Sequence, residues 1–126
     1  MSERHFPESH FNKVFNQWCI EKDEIGKFFR ARNNQATQVP MKKHIANFLA
    51  VLFEINNLQL SSNSEVLELI DDLEIKPINS KERLSFLIES PSHYHSFIQL
   101  SELFEELEKQ YRKHIAIEQN KTRTSD

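Results

Sequence analysis

Glycine occurs once in this chain, at Gly26, and proline four times. A β-rich domain needs many tight turns, and tight turns draw on glycine at positive φ. One glycine in 126 residues leaves few such turns available, which predicts a helical chain. It also leaves no glycine-rich loop to cradle a phosphate. Cysteine too occurs once, at Cys19, so no intrachain disulfide can form. That suits a reducing compartment. Long hydrophobic runs are missing. The densest apolar stretch, residues 45–55, is too short to span a bilayer and contains Asn47 and Glu54. Met1-Ser2-Glu3-Arg4-His5 leads into no apolar core, so no secretory signal is read there. Together these absences predict a cytoplasmic protein with no membrane association.

What is present is a set of helical stripes. Ten Phe residues supply large apolar area per side chain, enough for one core but not for two. Phe11, Val14, Phe15 and Trp18 fall at i, i+3, i+4 and i+7, after Pro7 at a possible first turn. Asp23 is read as the cap of a second helix with Ile25, Phe28 and Phe29 inside. Gly26 leaves open whether these two helices are continuous. Residues 33–38 read as a polar loop, and Pro40 as a helix start. Residues 41–56 are apolar around most of the circumference, the mark of a central helix, with Asn56-Asn57 as its stop. Ser62-Asn63-Ser64-Glu65 matches a capping box, opening a helix with Val66, Leu69, Ile70 and Leu73 that ends by Lys76. Asn79 caps a short helix with Leu84, Leu87 and Ile88 inside, and Pro91 breaks it. A long last helix carries Tyr94, Phe97, Ile98, Ser101, Phe104, Leu107, Tyr111 and Ile115, with Leu100 and Leu103 widening its stripe.

Acidic residues are absent between Ile25 and Phe53, where Lys27, Arg30, Arg32, Lys42 and Lys43 stand with His44. From Glu65 to Glu108 there are eleven acids and three bases, a local charge of −8 within a net charge of −3. The basic segment is the one place where electrostatics alone suggests a site. With a helix starting at Pro40, Lys42 and Lys43 would sit in its first turn, where cations oppose the dipole and an anion would relieve them. The competing reading is pairing with acids of the same fold, which is the commoner use of such charges.

Chemistry-bearing motifs are sparse. His93-Tyr94-His95 lacks the i, i+4 spacing of helical zinc ligands, and residues two apart on a helix face different ways. Cys19 beside Trp18 reads as a small buried residue. Glu102, Glu105, Glu106 and Glu108 read as a solvated face, because the Glu-x-x-His partner of di-metal bundles is missing. No catalytic residue, metal ligand or cofactor is assigned. Phe28 and Phe29, interleaved with bases, are better core residues than nucleic-acid platforms.

Some local patterns do resemble a known family. Phe28-Phe29, Arg32-Asn33 and Pro40-Met41 lead into an apolar helix ending at Asn56. Lys76-Pro77-Ile78-Asn79 precedes Glu82-Arg83-Leu84, and Tyr94-His95 precedes Gln99-Leu100, Leu103-Phe104, Glu106 and Lys109. Over about 18–114 these resemble the YpoC-like family, small uncharacterised proteins of Gram-positive bacteria. The resemblance rests on packing and capping patterns and implies no activity or catalytic residue. It also implies that longer members carry an N-terminal extension, which this chain is expected to lack.

The expected architecture is all-α, an irregular bundle of five or six helices. A single domain spans 1–119, with a central helix over about 40–56 and a long C-terminal helix over about 91–117. Residues 120–126 are expected to be a disordered tail. The leading functional expectation is a non-enzymatic interaction module. Its face would be Lys27, Arg30, Arg32, Lys42 and Lys43, and its target an acidic surface of another protein or, more weakly, a nucleic-acid backbone. The alternative is an enzyme or small-ligand binder built around Arg83, Tyr94, His95 and Gln99. A homodimer through Leu100, Leu103 and Leu107 of the C-terminal helix is a third expectation.

Overall fold

In the computed structural model, which describes residues 8–59 and 66–124, the chain is an all-α bundle. Five helices are described: α1 (Glu8–Arg30), α2 (Asn34–Ile55), α3 (Val66–Ile70), α4 (Ser80–Glu89) and α5 (Tyr94–Thr124). The capping-box residues 62–65 and Pro7 lie outside the described residues. Helix α2 touches α1, α4 and α5, so it is the central element its all-round apolar surface predicts. Met41, Phe48, Leu52 and Phe53 have essentially no solvent contact. Each such side chain contributes about 1.5–3 kcal/mol of burial energy.

Helix α1 is continuous through Asp23 and Gly26. Asp23 is therefore an exposed mid-helix residue and caps nothing. Gly26 is kept by packing: a Cβ there would stand 3.3 Å from the Phe97 ring of α5 and 3.4 Å from Arg30. The α1 stripe of Phe11, Val14 and Trp18 is buried as the spacing predicts, while Cys19, one step off the stripe, is exposed. Trp18 stacks on Phe104 of α5 with centroids 5.3 Å apart, and Phe48 of α2 meets the same ring edge-on at 5.1 Å. That aromatic junction ties the three long helices together.

The start of α2 differs from expectation. The helix begins at Asn34, so residues 33–38 are not a loop and Pro40 lies inside the helix. Two local bonds set the earlier start. The Asn33 side chain accepts from the Ala36 N–H at 3.2 Å, and Thr37, fully buried, donates its hydroxyl to the Asn34 carbonyl at 2.7 Å. Lys42 and Lys43 therefore stand two turns in, away from the helix N-terminus, and the dipole argument for an anion there fails. At its other end α2 stops as expected. Asn57 takes φ 63°, Leu58 N–H bonds to Phe53 O at 2.9 Å and Asn57 N–H to Glu54 O at 2.9 Å, a Schellman stop.

The smaller helices also shift. Helix α3 ends at Ile70, with Leu73 still buried beyond it. Asn79 precedes α4 in the left-handed region at φ 55°, and its side chain makes no capping bond. Ile88 is exposed instead of packed. Helix α5 opens at Tyr94 and runs to Thr124, so the polar segment from Asn120 is helical that far. Leu100, Leu103 and Leu107 are each completely buried inside the monomer. They are not available to pair with a second copy, which removes the expected dimer seam.

Candidate functional site

The α1–α2 turn carries the basic segment. Helix α1 closes in a Schellman motif: Asn33 N–H reaches Phe28 O at 2.9 Å and Arg32 N–H reaches Phe29 O at 3.0 Å, with Arg32 at φ 58°. This tight reversal places Arg30, the last residue of α1, and Arg32 at one corner of the bundle. Lys27 lies one turn earlier on the same helical strip. Lys27, Arg30, Arg32, Lys42 and Lys43 are all exposed. Lys43 is nonetheless committed, since its ammonium sits 3.0 Å from Glu21. Among the described residues the other four form no ion pair.

Two open clefts adjoin at this corner. One, of about 500 Å³, is lined by Phe29, Arg30, Arg32, Asn34 and Tyr94. The other, of about 540 Å³, is lined by Asn34, Gln38 and Lys42 on one side and by residues 88–93 on the other. Asn34 belongs to both, and Ser92 donates its hydroxyl to the Asn34 carbonyl at 3.4 Å, so the α4–α5 loop forms the far wall. Tyr94 is 51% exposed at the mouth of the first cleft, in ring contact with Phe29 and Phe97. It does not pack fully inward, as its place in the α5 stripe predicts.

The alternative site does not assemble around four residues. Arg83 and Gln99 meet: the guanidinium donates Nε–H to Gln99 Oε1 at 2.8 Å and Nη1–H to the Ile78 carbonyl at 2.9 Å. Both Nη groups donate to the Glu106 carboxylate, each at 2.9 Å. Glu106 thereby holds the guanidinium still more firmly protonated than usual. Arg83 is thus a clamp between α4 and α5, with its donors used internally. Glu106 is a partner of that clamp and Glu108 pairs with Arg112, so this acidic strip is not simply solvated. Tyr94 belongs to the basic corner instead. His95 and His93 both stand edge-on to Phe86, at 5.4 and 5.6 Å. They share that ring because His93 lies before the helix, where the rule for residues two apart does not apply. Among the described residues no three His, Cys, Asp or Glu side chains converge as metal ligands would.

A family model described as YpoC-like protein matches residues 8–119. The chain belongs to the YpoC-like family. A relative from Bacillus subtilis (strain 168), named uncharacterized protein YpoC, is 32% identical over 111 residues. That match covers 82% of this chain and 63% of the relative, so the chain spans under two thirds of the relative's length. No solved structure matches the chain. No helix among the described residues is long and apolar enough to cross a membrane.

This YpoC-like chain also pairs a buried histidine with a partly exposed acid. His44 is fully buried on α2, and its Nε2 lies 2.8 Å from Glu21 of α1. Its other nitrogen, Nδ1, has no hydrogen-bond partner among the described residues. Nε2 therefore carries the proton and donates to the carboxylate. The His44 bond, then Lys43, hold the Glu21 carboxyl at about 2, well below its usual range. Burial pushes the His44 imidazole down against the pull of Glu21. Tyr111, buried on Phe11, has its hydroxyl unpartnered among the described residues and its pKa pushed up to about 12, chiefly by burial. A signal for the His44 contact did exist. His44 lies between Met41 and Phe48 on an apolar face, in a stretch with no acid, so its partner had to come from another helix. Glu21, one turn beyond Trp18, was the candidate in reach.

Proposed function

We propose that this YpoC-like domain is a non-enzymatic interaction module whose basic corner, Lys27, Arg30, Arg32 and Lys42, contacts an anionic macromolecule. The target is an acidic protein surface or a nucleic-acid backbone. One contrast carries the reading. Arg83, Arg112, Lys43 and Lys81 each have an acid partner within the fold, whereas the four corner cations have none among the described residues, and, unlike the likewise unpaired Lys13, Lys22, Lys109 and Lys113, three of the four (Arg30, Arg32 and Lys42) line the two adjoining clefts. Unpaired cations gathered around a concave surface raise a local positive potential that steers anionic partners. The corner does this in a chain whose net charge is −3, so the potential is local and directional. Lys43 drops out of the face, because its charge is used by Glu21.

The enzyme reading has less behind it. The groups with shifted titration, Glu21, His44, Arg83 and Tyr111, line neither corner cleft. Perturbed groups in a concave site are what that reading requires. A pull-down from lysate tests the module reading, comparing the intact protein with a Lys27, Arg30, Arg32, Lys42→Gln variant and with a variant carrying Lys22, Lys76, Lys109 and Lys113→Gln. A ligand lost only in the corner variant supports it, and nuclease treatment separates nucleic-acid from protein partners. A ligand profile identical in all three proteins sinks it.

A further inference from the structure

We infer that the occupant of the basic corner is single-stranded nucleic acid, with a base stacked on Tyr94 and neighbouring phosphates held by Arg30, Arg32 and Lys42. The inference rests on the module reading above and names its partner.

The first observation is Tyr94 itself. At 51% it is the most exposed Phe, Tyr or Trp side chain among the described residues, and it stands at a cleft mouth. Its ring is pinned by Phe29, with centroids 5.9 Å apart, and by Phe97 at 6.0 Å. A side chain fixed in this way loses little further freedom when a flat ligand stacks on it. Every base offers a π-face, so one such platform binds bases without reading their identity.

The second observation is what surrounds the ring. Arg30, Arg32 and Asn34 line the same cleft as Tyr94. Guanidinium groups present forked donors matched to phosphate oxygens, and neither arginine has an acid partner among the described residues. An aromatic platform flanked by free guanidinium groups matches the alternation of base and phosphate along a single strand.

The third is the continuation of the track. Asn34, Gln38 and Lys42 lie at i, i+4 and i+8 of α2 and line the second cleft, a strip of roughly 12 Å at helical rise. The two amides offer donors and acceptors to base edges, and Lys42 offers a further cation. His93 stands on the opposite wall. Glu89, also in that wall, disfavours a phosphate beside it but can accept hydrogen bonds from base N–H groups, the thymine imide included. The strand would cross here with base edges toward Glu89 and backbone toward Lys42.

Other polyanions fit less of this. A duplex keeps its bases stacked inside, out of reach of a single exposed ring. An acidic protein surface would use the four cations and leave Tyr94, Asn34 and Gln38 without a role. The length of the two clefts suits a short segment, about four nucleotides, the lower end for single-strand sites.

The test is fluorescence anisotropy with a labelled oligo-dT of about 12 nucleotides, its duplex with oligo-dA, and unlabelled polyglutamate as competitor. The proteins are the full chain, Tyr94→Ala, Tyr94→Phe, an Arg30→Gln/Arg32→Gln/Lys42→Gln variant and the distant control Lys109→Gln, each checked for folding by circular dichroism. The expected result is binding of the single strand in preference to duplex and polyglutamate. Tyr94→Ala should weaken it about five- to 150-fold, the range for one stacked base, and Tyr94→Phe should keep it. The triple variant should flatten the log–log dependence of affinity on salt by roughly 0.7 for each phosphate it no longer neutralises. If Tyr94→Ala binds as the intact chain does, or duplex or polyglutamate binds as well as the single strand, the single-strand inference is overturned while the anionic-partner reading stands. If the triple variant matches the intact chain, or no polyanion binds at low salt, both readings fall.

Discussion

Replacing Arg83 by Met separates a structural role from a functional one. Arg83 is the polar link between α4 and α5, with four hydrogen bonds between 2.8 and 2.9 Å and a side chain only 14% exposed. Met keeps much of the apolar stem while removing every donor. Breaking a fully buried ion pair costs about 3–5 kcal/mol. Glu106, however, keeps 38% of its side chain in solvent and can be rehydrated when its partner leaves. The Gln99 oxygen and the Ile78 carbonyl lose a donor, each worth about 1 kcal/mol. The expected loss is therefore about 2–3 kcal/mol, lowering the thermal midpoint by roughly 10 °C in a domain of this size. Urea unfolding at pH 7 measures it, and a cycle with Glu106→Gln should show the two substitutions to be strongly non-additive. Retention of ligand by the basic corner should be unchanged in the folded variant. An Arg83→Met protein within about 0.5 kcal/mol of the parent would refute the clamp.

Acid should destabilise the fold in two stages. His44 has a folded pKa pushed below the ordinary 6.5, so the unfolded chain takes up its proton first and stability falls as pH drops below that value. Glu21, held at about 2 against the usual 4.5, adds stability that is present above 4.5 and lost as pH falls toward 2. Urea midpoints at pH 7.5, 5.5 and 3.5 check this, and an unchanged midpoint between pH 7.5 and 5.5 would count against the buried neutral His44. Gly26→Ala should change stability by less than about 1 kcal/mol, since helix propensity gained offsets the contact with Phe97 at 3.3 Å. Gly26→Leu should cost about 1–3 kcal/mol through overpacking, and a chemical melt that finds it neutral would contradict the close α1–α5 approach. Trp18→Ala should cost about 3–5 kcal/mol, because the ring is buried against Phe104, Phe97 and His44. A loss under about 1 kcal/mol would be at odds with that aromatic junction.

What the sequence makes legible is periodic. The Phe11–Val14–Trp18 stripe, the all-round apolar α2 and the Phe104–Leu107–Tyr111 face follow from spacing alone, and each is buried. Family membership follows from longer local patterns in the same way. The misreadings come where tertiary contact overrides a local preference. Gly26 looks like a break, yet Phe97 needs the room it leaves. Pro40 looks like a start, yet the Asn33 cap and buried Thr37 begin the helix earlier. The Leu100–Leu103–Leu107 stripe looks too wide for a monomer, yet the bundle covers it entirely. At the candidate site the five cations are found exposed, but the removal of Lys43 by Glu21 and the arrival of Tyr94 beside Arg30 depend on contacts between helices that no spacing encodes.

The central claim is that the unpaired cations of the α1–α2 corner form the binding face. Backbone amide NMR during titration with a short polyanion at moderate salt tests it directly. The account predicts that shifts concentrate at Lys27, Arg30, Arg32, Asn34, Gln38, Lys42 and Tyr94. Shifts centred on the Lys109, Arg112 and Lys113 end of α5, or spread evenly over all bases, would contradict it.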